Sequence, residues 1–308
     1  MDPSSWGTQL TVRQLVVLLS ATLSLAQTSG FKADPPTKCG SCAEWNLPLD
    51  PFRVYGNTYY VGTAGLTAVL VTSDDGHVLL DGGLSQSAPV IDANIRKLGF
   101  QTEDVRLMTN SHEHFDHAAG IAALQRASGA TVAASPEAAR ALAQGAPLPH
   151  DPQASSAKFP AVKNLKVISD GETLRLGSLA ITARFTPGHT PGATTWTWRS
   201  CEGSHCLNVV YADSLSAVSD EGFRFSGGKA GASLVEAFRK SLAIVEALPC
   251  DVLLVPHPFV MEMEEKLARR RKDPSVNPFV DAEACRAFAA TQRKAFDARL
   301  ASEKAGKR

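Results

Sequence analysis

The sequence predicts an α/β protein in which two mixed sheets pack face to face with helices on the outer faces. Runs of β-branched and apolar residues, punctuated by Gly, Pro, Asn and Asp, alternate with stretches of helical spacing. This happens twice along the chain, and each β-rich stretch is closed by helices, which is the pattern of layered sheets with helical cover. A chain of 308 residues with 44% hydrophobic content can build a proper core and is not disordered. No sequence-level repeat accompanies the duplication.

In the first half, a Pro/Gly/Ser-rich lead runs to about Pro51. Val54 to Val61, Thr67 to Thr72 and His77 to Asp81 then read as a meander, broken by Gly56-Asn57 and Asp74-Asp75-Gly76. Ala88 to Leu98 carries apolar residues at helical spacing (Val90, Ile91, Ile95, Leu98). Val105 to Thr109 is a buried strand, and Ala118 to Ala127 a second helix. Thr131 to Ala134 followed by Pro136 to Ala143 repeats the strand–helix step, with proline in the first helical turn where its missing N–H costs nothing. A loop from Gly145 to Pro160, with four prolines and little periodicity, opens the second half. Strands follow at Leu165 to Ile168, Leu179 to Phe185, Thr194 to Arg199 and Leu207 to Ala212. A helix from about Ser233 to Leu248, a buried strand from Val252 to Pro256 and a terminal helix from about Asp281 complete the chain.

Arg13 precedes an apolar run, Leu15 to Leu25, that ends in Ser24-Leu25-Ala26. Such a run reads as an export signal cleaved near Ala26, with a retained amphipathic anchor as the alternative, so residues 1–26 are set apart as a signal peptide and 27–52 as a lead segment. No other stretch is long and apolar enough to hold the chain in a membrane. An even number of cysteines, six, in an exported chain favours disulfides. Cys201 with Cys206 would lock a hairpin, and Cys250 with Cys285 would tie a buried strand to the terminal helix. Cys39 with Cys42 is a CxxC read as a small structural bridge, a redox pair or half a zinc ribbon being the alternatives. Lys+Arg and Asp+Glu balance at 31 each, so no net field draws the chain toward nucleic acid or anionic lipid.

The segment His112-Glu113-His114-Phe115-Asp116-His117 carries the chemistry. His112 and His114 follow a strand, and in extended chain residues i and i+2 point the same way, so both rings can meet one cation. Asp116 and His117 lie where the chain turns into a helix and suit a neighbouring ion. Two distant histidines share the strand-end setting: His189 in Thr186-Pro187-Gly188-His189-Thr190-Pro191-Gly192, and His257 in Pro256-His257-Pro258. Each alone would more often be a satisfied loop histidine; beside a preformed cluster each becomes a candidate ligand. Asp81, at another strand end, is expected to stand behind the metals and orient a ligand or its backbone. Glu113 and Phe115 are assigned to solvent and packing, and His77, His150 and His205 to the surface. Phe259 to Lys272, with Glu262, Glu264, Glu265 and the Arg269-Arg270-Arg271-Lys272 run, reads as a solvated helix face.

The HxHxDH string, Asp81-Gly82-Gly83, the Pro187–Gly192 turn, Tyr211-Ala212-Asp213-Ser214 and the Pro256–Pro258 turn together resemble the metallo-β-lactamase superfamily, and more narrowly its subclass B3. The resemblance runs from about Val54 to the terminal helix. It implies a four-layer αβ/βα sandwich over residues 53–308 with the metals between the sheet edges. It also implies two Zn2+ ions, with His112, His114 and His189 on the first and Asp116, His117 and His257 on the second. Where two other subclasses place a zinc-binding cysteine this chain has Ser214. Ser214 and Ser216 are therefore candidates to hold a substrate carboxylate, the alternative being ordinary turn hydroxyls, and Gln153 is similar to a substrate-contacting position.

The implied activity is hydrolysis of the β-lactam amide of penicillins, cephalosporins and carbapenems, conferring resistance, by a metal-bound hydroxide that Asp116 orients. No SxxK or GxSxG string supports a serine nucleophile. The implied protein is a periplasmic or secreted monomer whose partner is a small molecule. An exported thioester or ester hydrolase of the same fold, with Asp213 bridging two metals, and a non-catalytic zinc-binding module are the competing readings.

Overall fold

Every residue of the strands Val69–Val71 and His77–Leu80 is buried, because successive side chains on a strand point to opposite faces and both faces of their sheet are covered. Val69, Val71, Val78 and Leu80 enter a core shared with Ile181, Trp196 and Tyr211, while Leu70 and Leu79 enter a separate one with Ile91, Ile95 and Leu124. The computed structural model that shows this describes residues 31–228 and 232–306. The expected signal peptide lies outside the described residues.

The first sheet has seven strands in chain order: β1 (Phe52–Tyr55), β2 (Thr58–Tyr60), β3 (Val69–Val71), β4 (His77–Leu80), β5 (Val105–Thr109), β6 (Thr131–Ala134) and β7 (Leu165–Val167). The first four pair antiparallel, and β4 to β7 are parallel. The second sheet comprises β8 (Thr173–Leu176), β9 (Leu179–Phe185), β10 (Thr194–Glu202), β11 (His205–Tyr211) and β12 (Val252–Leu254), in the order β12-β11-β10-β9-β8. Only its β11–β12 pair is parallel. The sheets are joined across the core by indole hydrogen bonds: Trp198 Nε1 donates to Thr58 Oγ1 at 2.9 Å and Trp196 Nε1 to the Asn110 carbonyl at 2.8 Å.

The first helix among the described residues is a single turn, α1 (Cys42–Trp45). Helices α2 (Ala88–Lys97), α4 (Ile121–Ser128) and α5 (Pro136–Gln144) cover the first sheet. The start of α5 is fixed by Ser135, whose hydroxyl accepts from the Ala138 amide at 3.3 Å, and its end by Gly145 in the left-handed conformation. On the second sheet, α6 (Val235–Ala247) packs against α8 (Ala284–Lys304), with the Phe238 and Phe296 rings stacked at 4.1 Å. The architecture is the four-layer αβ/βα sandwich that the sequence predicts. Among the described residues no helix is long and apolar enough to cross a membrane.

The run Val54 to Val61 falls in the hairpin β1–β2, turning at Gly56 and Asn57 as the sequence predicts. Several other elements differ from expectation. The helix expected over Ala118 to Ala127 is two, α3 (Phe115–Ala118) and α4, broken at Gly120. A Cβ on Gly120 would lie 2.1 Å from the Gly82 carbonyl, so the two backbones meet directly where the cluster turns into the helix. Strand β8 was not anticipated, and α7 (Met263–Lys272) exposes most of its charged residues but buries Lys266. His77, expected at the surface, is buried edge-on against Phe100, 5.1 Å between ring centres. The cysteines lie as three pairs, Cys39–Cys42, Cys201–Cys206 and Cys250–Cys285. The lead segment is packed in: Cys42 contacts Leu66 and Leu84, and Thr63 Oγ1 donates to the Trp45 carbonyl at 2.6 Å.

Candidate metal centre

Five strand ends of the two sheets converge on one place. After β5, the extended residues 110–114 and the turn α3 carry His112, His114, Asp116 and His117; β4 ends at Asp81 and β11 leads into Asp213 to Ser216. The turns after β9 and β12 bring His189 and His257 from the opposite sheet. His189 is presented by a turn that needs its glycines. Gly188 has φ 151°, and a Cβ there would lie 2.6 Å from the Phe238 ring; a Cβ on Gly192 would lie 2.3 Å from the Ala138 amide nitrogen.

The ligating atoms of His112, His114 and His189 all lie within 4.8 Å of one another, and so do those of His112, Asp116 and His117. Asp116 Oδ2 is 3.3 Å from His117 Nε2 and 3.4 Å from His257 Nε2. Each imidazole has one nitrogen turned outward to an oxygen. For His112 it is Nδ1, 3.0 Å from Asp213 Oδ1; for His114, Nε2, 3.1 Å from Asp151 Oδ1; for His189, Nδ1, 2.9 Å from the Ser216 carbonyl. For His117, Nδ1 lies 3.5 Å from Asp81 Oδ2, and for His257, Nδ1 lies 3.4 Å from the Gly65 carbonyl. A carbonyl only accepts, so His189 carries its proton on Nδ1 and offers the Nε2 lone pair inward. Outer acceptors of this kind hold an imidazole in the tautomer and orientation that a metal requires.

Asp81 accepts from the Ser111 amide at 2.6 Å, the Ser111 hydroxyl at 2.7 Å and the Tyr211 hydroxyl at 2.5 Å, and these bonds hold it at φ 63°. Leu215, between Ser214 and Ser216, is likewise left-handed at φ 45°, its amide on Asp213 Oδ2. Backbone strain of this kind persists only where surroundings over-determine it. The electrostatics suit a cation. Burial opposes a proton on His117, but Asp116 and then Asp81 outweigh it and raise the ring to about 10. Burial and the neighbouring imidazoles push His112 and His189 well below the ordinary histidine value. Burial raises Asp213 to about 7, whereas for Asp116 its effect is overcome by His117 and His257, which hold that carboxyl well below the usual range. Neither nitrogen of buried His117 has a hydrogen-bond partner, and crowded imidazoles facing a carboxylate form the donor chemistry of zinc. The residues fit a metal.

A cleft of about 430 Å3 opens over the cluster, a size that suits a small molecule. Trp45 and Phe259 flank His257, with ring centres 5.3 and 5.5 Å away. Ser214 lines the cleft, and its buried hydroxyl has no partner. Ser216 also lines it, but its hydroxyl lies 3.1 Å from His189 Nδ1 and is partly engaged there. Gln153 reaches in from the long loop, with its amide nitrogen 3.4 Å from His114 Nδ1.

Residues 62–201 match the family model described as the metallo-beta-lactamase superfamily. Among solved structures, the Rm3 metallo-beta-lactamase is 50% identical with TM-score 0.84, the match covering 87% of this chain and 100% of that one. MEM-A1, a subclass B3 metallo-beta-lactamase from a soil metagenome library, is 46% identical with TM-score 0.82, covering 85% and 100%. The metallo-beta-lactamase SMB-1 is 45% identical with TM-score 0.80, covering 84% and 99%. The chain belongs to the metallo-β-lactamase superfamily, within subclass B3.

Three residues of this metallo-β-lactamase site escaped the sequence reading. Glu113, assigned there to solvent, is fully buried: its carboxylate accepts from Thr190 Oγ1 at 2.8 Å and the Gly192 amide at 2.9 Å, clamping the turn that carries His189. Burial, then Asp151, raises it to about 7. Asp151 belongs to a loop with no periodic signal, and Trp45 to the lead segment. The alternation of Glu113 with two histidines on an extended chain was the one available sign that it faces away from them and into the protein.

Proposed function

We propose that the chain hydrolyses the amide bond of β-lactams with two zinc ions, one held by His112, His114 and His189 and the other by Asp116, His117 and His257. The observation that carries this reading is the set of five imidazoles gathered at Asp116, four of them with one nitrogen on an outer oxygen and His117 with neither nitrogen hydrogen-bonded, under an open cleft with Ser214 on its wall. The relatives' names support the substrate class, since Rm3, MEM-A1 and SMB-1 are all called metallo-beta-lactamases. Zinc, when bound, lowers the pKa of water to near neutrality and polarises a carbonyl oxygen.

This chain's own residues supply position. Asp116 is a carboxylate at the floor of the cleft that accepts from a water O–H and so aims the oxygen at the amide carbon. The free hydroxyl of Ser214 donates to the substrate carboxylate, with Ser216 beside it and the Gln153 amide on the opposite loop. Trp45 and Phe259 cover the apolar part of the bicycle and exclude water. Hydrolysis breaks the C–N bond, the hydroxyl going to carbon and the proton to nitrogen, without an acyl-enzyme. Asp213 stands fully buried behind His112, which disfavours the bridging role of a glyoxalase II-like thioester hydrolase. A non-catalytic zinc module would close its site, whereas here His257 keeps 20% of its side chain exposed in an open cleft.

Export with cleavage near Ala26, oxidised cysteine pairs in the periplasm or outside the cell, and a monomeric state belong to the same reading. The test is hydrolysis of a penicillin, a cephalosporin and a carbapenem before and after EDTA, with zinc added back. Turnover that disappears with chelation and returns with zinc is expected; turnover that survives metal removal, or none on any ring, overturns the reading.

A further inference from the structure

A second cavity, of about 730 Å3, lies between α7, residues 273–281 and the first turns of α8. It shares Val260 and Gln292 with the metal cleft, so the two have a common wall. Lys266 lines it with only 8% of its surface exposed. Its ammonium sits 5.7 Å from the centre of the Phe279 ring and, among the described residues, has neither a hydrogen-bond nor an ion-pair partner. The aliphatic stem is buried while the ammonium keeps contact with solvent, so a charge partly shielded from water and without an ion-pair partner favours an anion that enters. Burial accordingly pulls the Lys266 pKa down, against the weaker pull of Asp281 and Glu262.

The walls are apolar and open to water. Val260, Val276 and Val280 are 37, 54 and 41% exposed, three of the few large apolar side chains so placed among the described residues. Arg269 and Lys272 at the rim are outnumbered by Glu262, Asp273 and Asp281. Two of these acids are already engaged, Asp273 with Ser275 and Asp281 with the Glu283 amide. These neutral donors leave the carboxylates charged, so the rim carries one more negative than positive charge and the lining is neutral only with Lys266 counted, which disfavours a polyanion. What the cavity offers is one cation without an ion-pair partner, on a buried stem, and an apolar slot.

We propose that this cavity is a second small-molecule site, for an amphipathic monocarboxylate whose charged end meets Lys266 and whose aryl or alkyl body lies on Val260, Val276, Val280 and Phe288. Because Val260 belongs to the turn that follows His257, an occupant also packs against one wall of the metal cleft. The site does not depend on the substrate assigned to that cleft.

Methionine supplies a local probe, since Met261 lines the cavity while Met108 is buried in β5 away from it. Zinc-loaded protein labelled with [methyl-13C]methionine is titrated with 4-phenylbutyrate and, separately, with 4-phenylbutan-1-ol. The Met261 methyl should shift saturably with the carboxylate while Met108 stays still, and the alcohol should bind about tenfold more weakly. Lys266→Leu should weaken the carboxylate about tenfold and leave the alcohol unchanged. Val276→Trp, at an exposed position, should abolish both shifts by filling the slot. An absent or unsaturable Met261 shift overturns the proposal, as does a shift that survives both substitutions, which would place the probe in the metal cleft.

Discussion

Glu113 separates His112 from His114 and faces the other way, as extended chain requires. Its two oxygens take the Thr190 hydroxyl and the Gly192 amide from the turn that carries His189, so the first histidine motif holds the second in place. Removing the carboxylate would leave two buried donors without partners, and each such donor costs about 1–3 kcal/mol. Glu113→Ala is therefore expected to lose about 2–5 kcal/mol and to loosen His189. Glu113→Gln keeps a carbonyl oxygen for Gly192, and the Thr190 hydroxyl can rotate to accept from the new amide, so this variant should stay within about 1 kcal/mol of the parent. Urea unfolding of both zinc-loaded variants checks the difference; equal stabilities would show that Glu113 is no clamp.

The terminal helix α8 organises the loop beside the cleft through one residue near its end. Glu303 accepts from the Phe225 and Ser226 amides, each at 3.0 Å, and from Arg299 Nε at 2.8 Å, while Arg299 also reaches the Ser219 hydroxyl at 2.9 Å. Burial acts to raise the Glu303 pKa, but these donors outweigh it and hold it below the ordinary 4.5. A carboxylate depressed in the folded state stabilises above its unfolded pKa, and that stability is lost as pH falls through the folded value. Glu303→Gln should therefore be less stable than the parent above about pH 5, by about 1–3 kcal/mol, with the gap closing as pH drops below 4. Thermal melts across that range measure it, and a gap independent of pH would contradict it. This clamp was invisible in the sequence, because nothing local marks a glutamate in an amphipathic helix as the partner of amides nearly eighty positions earlier. The same reason hid Asp151, whose partner His114 is 37 residues away, and Trp45. Strand β8 was missed because four residues between Gly171 and Gly177 are too few to show a period. What could be read was what is local: buried strands such as Val252–Leu254, and a metal motif contiguous over six residues, whereas Val105–Thr109, expected to be buried, exposes Arg106.

At the scale of the whole molecule, the proposed ligands come from both layers of the sandwich. His112, His114, Asp116 and His117 follow β5 of the seven-stranded sheet, whereas His189 and His257 follow β9 and β12 of the five-stranded one. A metal held by such a set ties the two sheets at their ends, beyond the reach of the apolar core between them, and the unfolded chain offers no preformed site. Binding then stabilises by mass action: at free zinc about a thousandfold above its Kd the gain is about 4 kcal/mol. In a chain of this size each kcal/mol moves Tm by about 1.5–2 °C, so stripping the metal should lower Tm by about 6–8 °C. Calorimetry at buffered zinc levels should show Tm rising with the logarithm of free zinc in a single transition. His189→Ala and His257→Ala, which cut the link from the second sheet, should flatten that rise, whereas a Tm indifferent to zinc would mean that the cluster does not hold the two layers together.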